Sequence, residues 1–146
     1  MIASDDPSIR NIGEKGQPAL ILYDGDCVIC SAWFRFVARR DHARKFLFTA
    51  IQSPYGRALA LKYGIDPDNP QSNAVLIDGT VNLRSDSAIA ALSALPGYGW
   101  VRALRIIPKP LRDWLYSFIA RNRYRWFGKN ETCDLGGRAY ADRVIG

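Results

Sequence analysis

The sequence has few cysteines and no apolar run long enough to cross a membrane. Three cysteines cannot form a disulfide framework, so their odd number predicts reactive or metal-bound thiols in a reducing compartment. The apolar runs Ala19–Tyr23 and Ala74–Ile77 fall far short of the ~20 residues that a membrane-spanning helix needs. The first residues carry acid where a signal peptide needs positive charge. We therefore expect a cytoplasmic protein without a transmembrane helix.

Acidic residues are nearly absent from one segment, and this shortage sets the charge of the whole chain. Between Gly99 and Phe127 the chain has one acidic residue, Asp113, and seven basic residues, which are Arg102, Arg105, Lys109, Arg112, Arg121, Arg123 and Arg125. The remaining basic and acidic residues balance, so this segment carries the net charge of +6. The basic character is therefore local.

The length of 146 residues fits one compact domain. We expect a flexible N-terminal tail over residues 1–17, a core over 18–97 and a basic, aromatic helical extension packed on that core over 98–146. No internal repeat or low-complexity tract interrupts this division.

Alternating strand and helix patterns fill the predicted core. Apolar and β-branched runs predict strands at 19–23, 45–51, 74–77 and 81–83, and Asp78-Gly79 predicts a hairpin between the last two. Apolar residues at helical spacing predict helices over 28–40, after Ser53-Pro54, and after Ser85 or Asp86. Either Ser85 or Asp86 can cap the last of these helices. The resulting β-α-β-α-β-β-α order predicts an α/β, thioredoxin-like fold, a central mixed sheet with helices on both faces.

The predicted extension contains a short helix around 100–107 and a longer one that begins near Pro108 and Pro110. An apolar stripe at helical spacing predicts that the longer helix packs on the core, and it consists of Leu111, Trp114, Leu115, Phe118 and Ile119. The interleaved arginines and aromatics of 100–127 also suit a partner or an anionic membrane surface. We do not expect nucleic acid as a partner.

Two cysteines three residues apart form the motif that carries chemistry. Cys27 and Cys30 follow a buried strand and open a helix, where the positive end of the helix dipole stabilises a thiolate. In this interpretation Cys27 attacks a substrate disulfide and Cys30 resolves the mixed disulfide. Metal ligation and a purely structural role remain the alternatives for the pair, since zinc sites use the same spacing.

The residues around this motif resemble a known family. The stretch Tyr23-Asp24-Gly25-Asp26-Cys27-Val28-Ile29-Cys30 resembles the Asp-x-x-Cys-x-x-Cys signature of the DCC family of predicted thiol-disulfide oxidoreductases, with Asp24, Cys27 and Cys30 at its three named positions. Residues 119–128 resemble the C-terminal region of that family, and the likeness extends from about Pro18 to Gly137. It implies a thioredoxin-like fold and dithiol–disulfide exchange.

Several residues are candidates for supporting the dithiol. Asp24 either relays a proton to or from Cys30 or forms the turn before the helix. Asp26 is placed to cap that helix, and Gly25 allows the backbone to make the turn. Carboxylates beside the dithiol disfavour the thiolate, which suggests a reductant.

The residues before the third strand depart from ordinary thioredoxins. Thioredoxins have a cis-proline immediately before the strand that faces the dithiol, whereas Ser72 and Asn73 precede Ala74 here. We expect Ser72 or Asn73 to face Cys27 in its place. This departure weakens the prediction that extended protein substrates dock there.

The sequence thus predicts a thiol-disulfide oxidoreductase that acts on a disulfide-containing protein or small thiol and receives electrons from an upstream thiol reductant. No phosphate-binding glycine loop is present, so we expect no organic cofactor, and no bound metal. The alternatives are a non-catalytic binding module that docks a partner or membrane through 100–127, and a metal-binding protein that uses Cys27, Cys30 and Cys133.

Overall fold

The order of helices and strands follows the predicted order. The structure, a computed structural model, describes residues 2, 7, 11–25, 28–68, 72–127 and 143–145. The elements are β1 (Ala19–Tyr23), α1 (Val28–Arg40), β2 (Phe46–Ala50), α2 (Pro54–Lys62), β3 (Ala74–Ile77), β4 (Thr80–Leu83), α3 (Ser85–Ser93), a 3₁₀ helix (Gly99–Ile106) and α4 (Lys109–Phe127).

A four-stranded mixed sheet lies at the centre, with its strands in the order β2-β1-β3-β4. β1 pairs parallel with β2 and antiparallel with β3, and β3 pairs antiparallel with β4 across the predicted Asp78-Gly79 turn. The parallel pair is joined through α1, as a β-α-β crossover requires. This arrangement confirms the predicted thioredoxin-like fold class.

The two faces of β1 divide the hydrophobic core, because successive side chains of a strand point to opposite sides. Ile21 and Tyr23 pack on one side with Phe34 of α1. Leu20 and Leu22 pack on the other side with Ala60 of α2. Every residue of β1 is buried, as expected for an inner strand of the sheet that is covered on both faces.

Residues near both chain ends also contact this core. The N–H of Ile2 donates to the carbonyl of Val144 (2.7 Å), and the N–H of Ile145 donates to Phe48 on β2 (2.8 Å). In the predicted tail, the carbonyl of Gly13 accepts from the N–H of Gly79 (2.7 Å). The division of the chain into three segments stays a prediction.

The starts of two helices test the predicted caps. At α2 the prediction is confirmed, because the Ser53 hydroxyl accepts from the N–H of Gly56 (3.0 Å) and Pro54 opens the helix. At α3 the prediction of a Ser85 or Asp86 cap is wrong. The helix begins at Ser85, preceded by Arg84 without a side-chain cap, because both side chains contact α4 instead.

The orientation of α4 contradicts the prediction that its apolar stripe packs on the core. All five stripe residues are exposed, and Trp114 retains 59% of its accessible surface. The helix instead turns Asp113 toward α3, Tyr116 toward the residues before β3, and Arg123 toward the end of β1 and the start of α1. Among the described helices, none has both the length and the hydropathy to cross a bilayer.

Ion pairs fasten α4 to α3 and explain why its polar side faces inward. Asp86 on α3 pairs with Lys109 (2.7 Å) and Arg112 (2.8 Å), and the Ser85 hydroxyl donates to Asp113 (2.5 Å). Hydrogen bonds from Lys109 and Arg112 lower the pKa of Asp86. Burial by itself raises the pKa of Asp113, but hydrogen bonds from Ser85 and Lys109 lower it overall.

The Asp86 contacts predict a loss of stability in acid. Because folding lowers the pKa of Asp86, its contribution is complete above the unfolded value of about 3.9 and is lost as the pH falls through the folded value. We expect Asp86→Asn to lower the free energy of unfolding by about 0.5–1 kcal/mol at pH 7, and the difference to shrink as the pH falls below the unfolded pKa of about 3.9. Urea titrations across this pH range measure it.

Asp68→Asn is the matched control, because the ion pair of Asp68 with Arg57 is exposed and should change stability little. An Asp86→Asn variant as stable as wild type at pH 7 would contradict the assigned role of these contacts.

Candidate active site

The candidate site lies where β1 ends and α1 begins. Asp24 directly follows β1, and Cys30 lies in the first turn of α1 with only 6% of its surface exposed. Asp26, Cys27 and Cys133 lie outside the described residues. Of the motif, the structure therefore describes the Cys30 sulfur and the Asp24 carboxylate.

The Asp24 carboxylate is completely buried, and both of its oxygens have partners. Oδ2 forms an ion pair with Nη2 of Arg123 (3.1 Å), and Oδ1 accepts from Nε2 of Gln52 (2.6 Å). Gln52 also accepts the N–H of Gly25 through Oε1 (2.8 Å), so it links the carboxylate to the turn that precedes α1. The predicted turn residues Asp24 and Gly25 are therefore held by a side chain that follows β2.

Arg123 connects the carboxylate to the cysteine. It lies on α4 with 3% of its surface exposed, and its Nη1 is 3.6 Å from Sγ of Cys30. A buried charge is stable only when it is paired and hydrogen-bonded, and Asp24 provides that pairing. The guanidinium is thus fixed with one nitrogen on the carboxylate and another facing the sulfur.

Tyr116 is a second polar side chain that α4 brings beside Cys30. Its hydroxyl accepts from the N–H of Asn73 (3.1 Å). Burial raises the pKa of Tyr116, and negative charge on Cys30 acts in the same direction. The phenol therefore remains neutral at physiological pH and keeps its proton.

A cleft of about 220 Å³ opens beside these groups, between α1, α3 and α4. Cys30 and Trp33 line it from α1, and Tyr116, Ile119 and Arg123 line it from α4. The cleft is large enough for a small ligand or a few atoms of a side chain to reach the Cys30 side of the motif. Its mixture of apolar walls and a few polar groups is typical of ligand sites.

The two candidate residues before β3 have different positions. The Ser72 hydroxyl accepts from the N–H of Arg84 (2.7 Å) and donates to the carbonyl of Asn73 (2.8 Å), so it is used within the fold. Asn73 lines the cleft, and its buried Oδ1 has no hydrogen-bond partner among the described residues. Their expected approach to Cys27 lies outside what the structure describes.

Sequence reasoning missed Gln52 and Tyr116 as site residues. Gln52 follows β2, and parallel pairing of β1 with β2 brings the carboxyl ends of both strands to one edge, a signal that could have found it. Arg123 is one of several arginines near the end of α4, and the structure identifies it as the partner of Asp24. Tyr116 lies on the side of α4 opposite the predicted packing face.

Metal ligation gains no support from the described part of the chain. No group of three or more histidine, cysteine or acidic side chains there could hold a metal ion. Cys27 and Cys133, the other thiols of that hypothesis, lie outside it.

Comparisons with known proteins agree with the cysteine motif. A family model described as DCC1-like thiol-disulfide oxidoreductase matches residues 21–129. "Uncharacterized protein YuxK" of Bacillus subtilis is 39% identical over 127 residues, covering 86% of this chain and 93% of that protein. "DCC family protein At1g52590, chloroplastic" of Arabidopsis thaliana is 31% identical over 124 residues, covering 84% and 72% respectively. No solved structure matches the chain.

The buried ion pair predicts a large cost when one partner is removed. Arg123→Met preserves most of the side-chain volume but leaves the Asp24 carboxylate buried without its counter-charge, so we expect a loss of about 3–5 kcal/mol in the free energy of unfolding. The double variant Asp24→Asn with Arg123→Met should recover much of that loss. Urea denaturation of both variants measures the difference.

Arg121→Met is the matched control, since Arg121 lies on the same helix but is exposed, and it should change stability by less than about 0.5 kcal/mol. Equal effects of the Arg121 and Arg123 substitutions would show that the pair does not support the fold.

Proposed function

The chain belongs to the DCC1-like thiol-disulfide oxidoreductase family, and we propose that it exchanges a Cys27/Cys30 dithiol with a substrate disulfide. The observation that carries this proposal is the position of Cys30 in the first turn of α1, at a cleft and 3.6 Å from the Arg123 guanidinium. A cysteine beside an arginine at a helix N-terminus is in the electropositive surroundings that favour thiolate chemistry.

In the proposed reaction the Cys27 thiolate attacks one sulfur of the substrate disulfide. A Cys27–substrate disulfide forms, and the other substrate sulfur leaves as a thiolate and takes up a proton. Cys30 then attacks the Cys27 sulfur, which forms the Cys27–Cys30 disulfide and releases the second substrate thiol. The substrate gains two electrons and the protein loses two, and an upstream thiol reductant restores the dithiol.

The contacts of Asp24 support a positioning role in this reaction. Both of its oxygens accept hydrogen bonds from Gln52 and Arg123, so the carboxylate holds the guanidinium over the Cys30 sulfur. In the second step Cys30 attacks as a thiolate, and Arg123 stabilises the negative charge that this requires. This assignment favours Asp24 as a support for Arg123 over Asp24 as a proton relay.

The same ion pair changes the argument about the direction of electron flow. The sequence suggested a reductant because two carboxylates oppose the thiolate, but the charge of Asp24 is offset by Arg123. Asp26 is then the one carboxylate of the pair whose charge still disfavours the thiolate. Cytoplasmic residence stays a prediction, and the name of the Arabidopsis relative places that protein in the chloroplast.

Cysteine variants test the proposal through a trapped intermediate. With a fluorescent derivative of glutathione disulfide as the probe, Cys30→Ser should accumulate a covalent mixed disulfide because the resolving thiol is missing. Cys27→Ser should form none and should reduce the probe no faster than a free thiol does. Intact-mass spectrometry measures the adduct, and fluorescence measures turnover.

Cys133→Ser is the matched control and should retain wild-type turnover within about twofold, the expected outcome for an incidental cysteine. Wild-type turnover in all three variants would reject the dithiol mechanism. One zinc ion per chain by elemental analysis, together with no turnover, would favour the metal-binding alternative.

A further inference from the structure

An apolar surface on the outside of the 3₁₀ helix and α4 is not used by the proposed reaction. We define this outer surface by its exposed apolar side chains, which are Trp100, Leu104, Ile106, Ile107, Leu111, Trp114, Leu115, Phe118, Ile119 and Trp126. Elsewhere in the described chain, Leu61 and Val81 are the large apolar side chains with comparable exposure. The exposed apolar residues are therefore concentrated in one segment.

On the α4 part of the outer surface, three aromatic rings pack on one another. Ile106 and Trp100 retain 86% and 66% of their accessible surface. On α4 the rings of Trp114 and Phe118 stack at 5.8 Å between centroids, and Phe118 meets Trp126 edge to face at 5.4 Å. A contiguous apolar patch on a protein surface indicates an interaction site, since water contact with it is unfavourable.

Exposed arginines accompany this apolar surface. Arg121 and Arg125 lie one turn apart on α4 beside Phe118, whereas Arg102 and Arg105 of the 3₁₀ helix line a groove formed with β3, β4 and α3. By contrast, Lys109 and Arg112 pair with Asp86, and Arg123 pairs with Asp24. These three side chains therefore direct their charges toward the protein and away from the outer surface. The outward face thus combines tryptophan and aliphatic side chains with positive charge.

We propose that the outer surface binds an anionic lipid bilayer, with the 3₁₀ helix and α4 lying along the headgroup region. Helices at the membrane interface insert an apolar face rich in tryptophan and leucine into the boundary of the acyl chains, while arginines contact anionic headgroups. The charged side chains Arg112 and Arg123 on the polar side of α4 already have partners within the protein, so the apolar side is the one that can enter the lipid.

Charge complementarity favours lipid over a second copy of the chain. The exposed Arg121 and Arg125 carry positive charge on this face, so face-to-face packing of two copies would bring like charges together. An anionic bilayer offers both negative charge and an apolar interior. Ile119 belongs to the outer surface and also lines the cleft, so the bound bilayer would lie beside the cleft of Cys30.

Vesicle binding tests this proposal. Purified full-length protein should sediment with vesicles of phosphatidylcholine and phosphatidylglycerol, and only weakly with phosphatidylcholine alone. Added salt should weaken binding because it screens the arginines. Trp114→Glu should lower the partition coefficient at least about tenfold, because it removes an inserted apolar side chain. Arg121→Glu should lower it more than about fivefold, the factor expected for one basic residue.

Two exposed positions on α2 provide matched controls. Leu61→Glu replaces an exposed apolar side chain with a carboxylate, and Lys62→Glu reverses one positive charge, both outside the outer surface. These variants should bind as wild type. Circular dichroism confirms that each variant is folded.

Three results would overturn the proposal. The first is no sedimentation with anionic vesicles. The second is an equal loss of binding in the α2 controls, which would indicate a non-specific charge effect. The third is a dimer in analytical ultracentrifugation that Trp114→Glu dissociates, without vesicle binding, which would assign the surface to a second copy.

Discussion

The buried ion pair between Asp24 and Arg123 is the interaction on which the rest of the site depends. It joins the end of the central strand β1 to α4, two elements far apart in sequence, and it places the guanidinium 3.6 Å from the Cys30 sulfur. An unpaired charge at either position would be strongly unfavourable inside the protein. The motif carboxylate therefore acts together with the contacts of Asp86 to position α4, and α4 in turn supplies Arg123 and Tyr116 to the cleft.

This constraint also explains the orientation of α4. The helix has two faces that compete for the core, an apolar stripe and a row of polar side chains that includes Asp113, Tyr116 and Arg123. Salt bridges to Asp86 and Asp24 and hydrogen bonds to Ser85 and Asn73 favour the polar face. Its inward side completes the candidate active site, while its outward side forms the proposed lipid-binding surface.

Local patterns were enough to predict most of the fold. The buried run Ala19–Tyr23, the Asp78-Gly79 turn and the Ser53-Pro54 helix start each depend on neighbouring residues, and the structure agrees with all three. The α3 cap could not be predicted this way, because contacts from α4 decide what Ser85 and Asp86 do. Helical periodicity identified the apolar stripe of α4 but could not tell that the opposite face carries partners for buried charges.

The candidate site was likewise predictable from the sequence only in part. The resemblance located Asp24 and Cys30, but it did not identify the partner of the Asp24 carboxylate. Choosing Arg123, and finding Tyr116 beside Asn73, required the three-dimensional position of α4. Gln52 could have been predicted from the sheet topology, because it follows β2, the strand that pairs in parallel with β1.

A redox titration tests the central claim most directly. The protein is equilibrated with mixtures of reduced and oxidised glutathione, quenched with an alkylating reagent, and its cysteine linkages are mapped by mass spectrometry. We expect a reversible two-electron transition in which one intramolecular disulfide forms between Cys27 and Cys30. Thiols that remain unpaired at every glutathione ratio, or a disulfide that excludes Cys30, would contradict it.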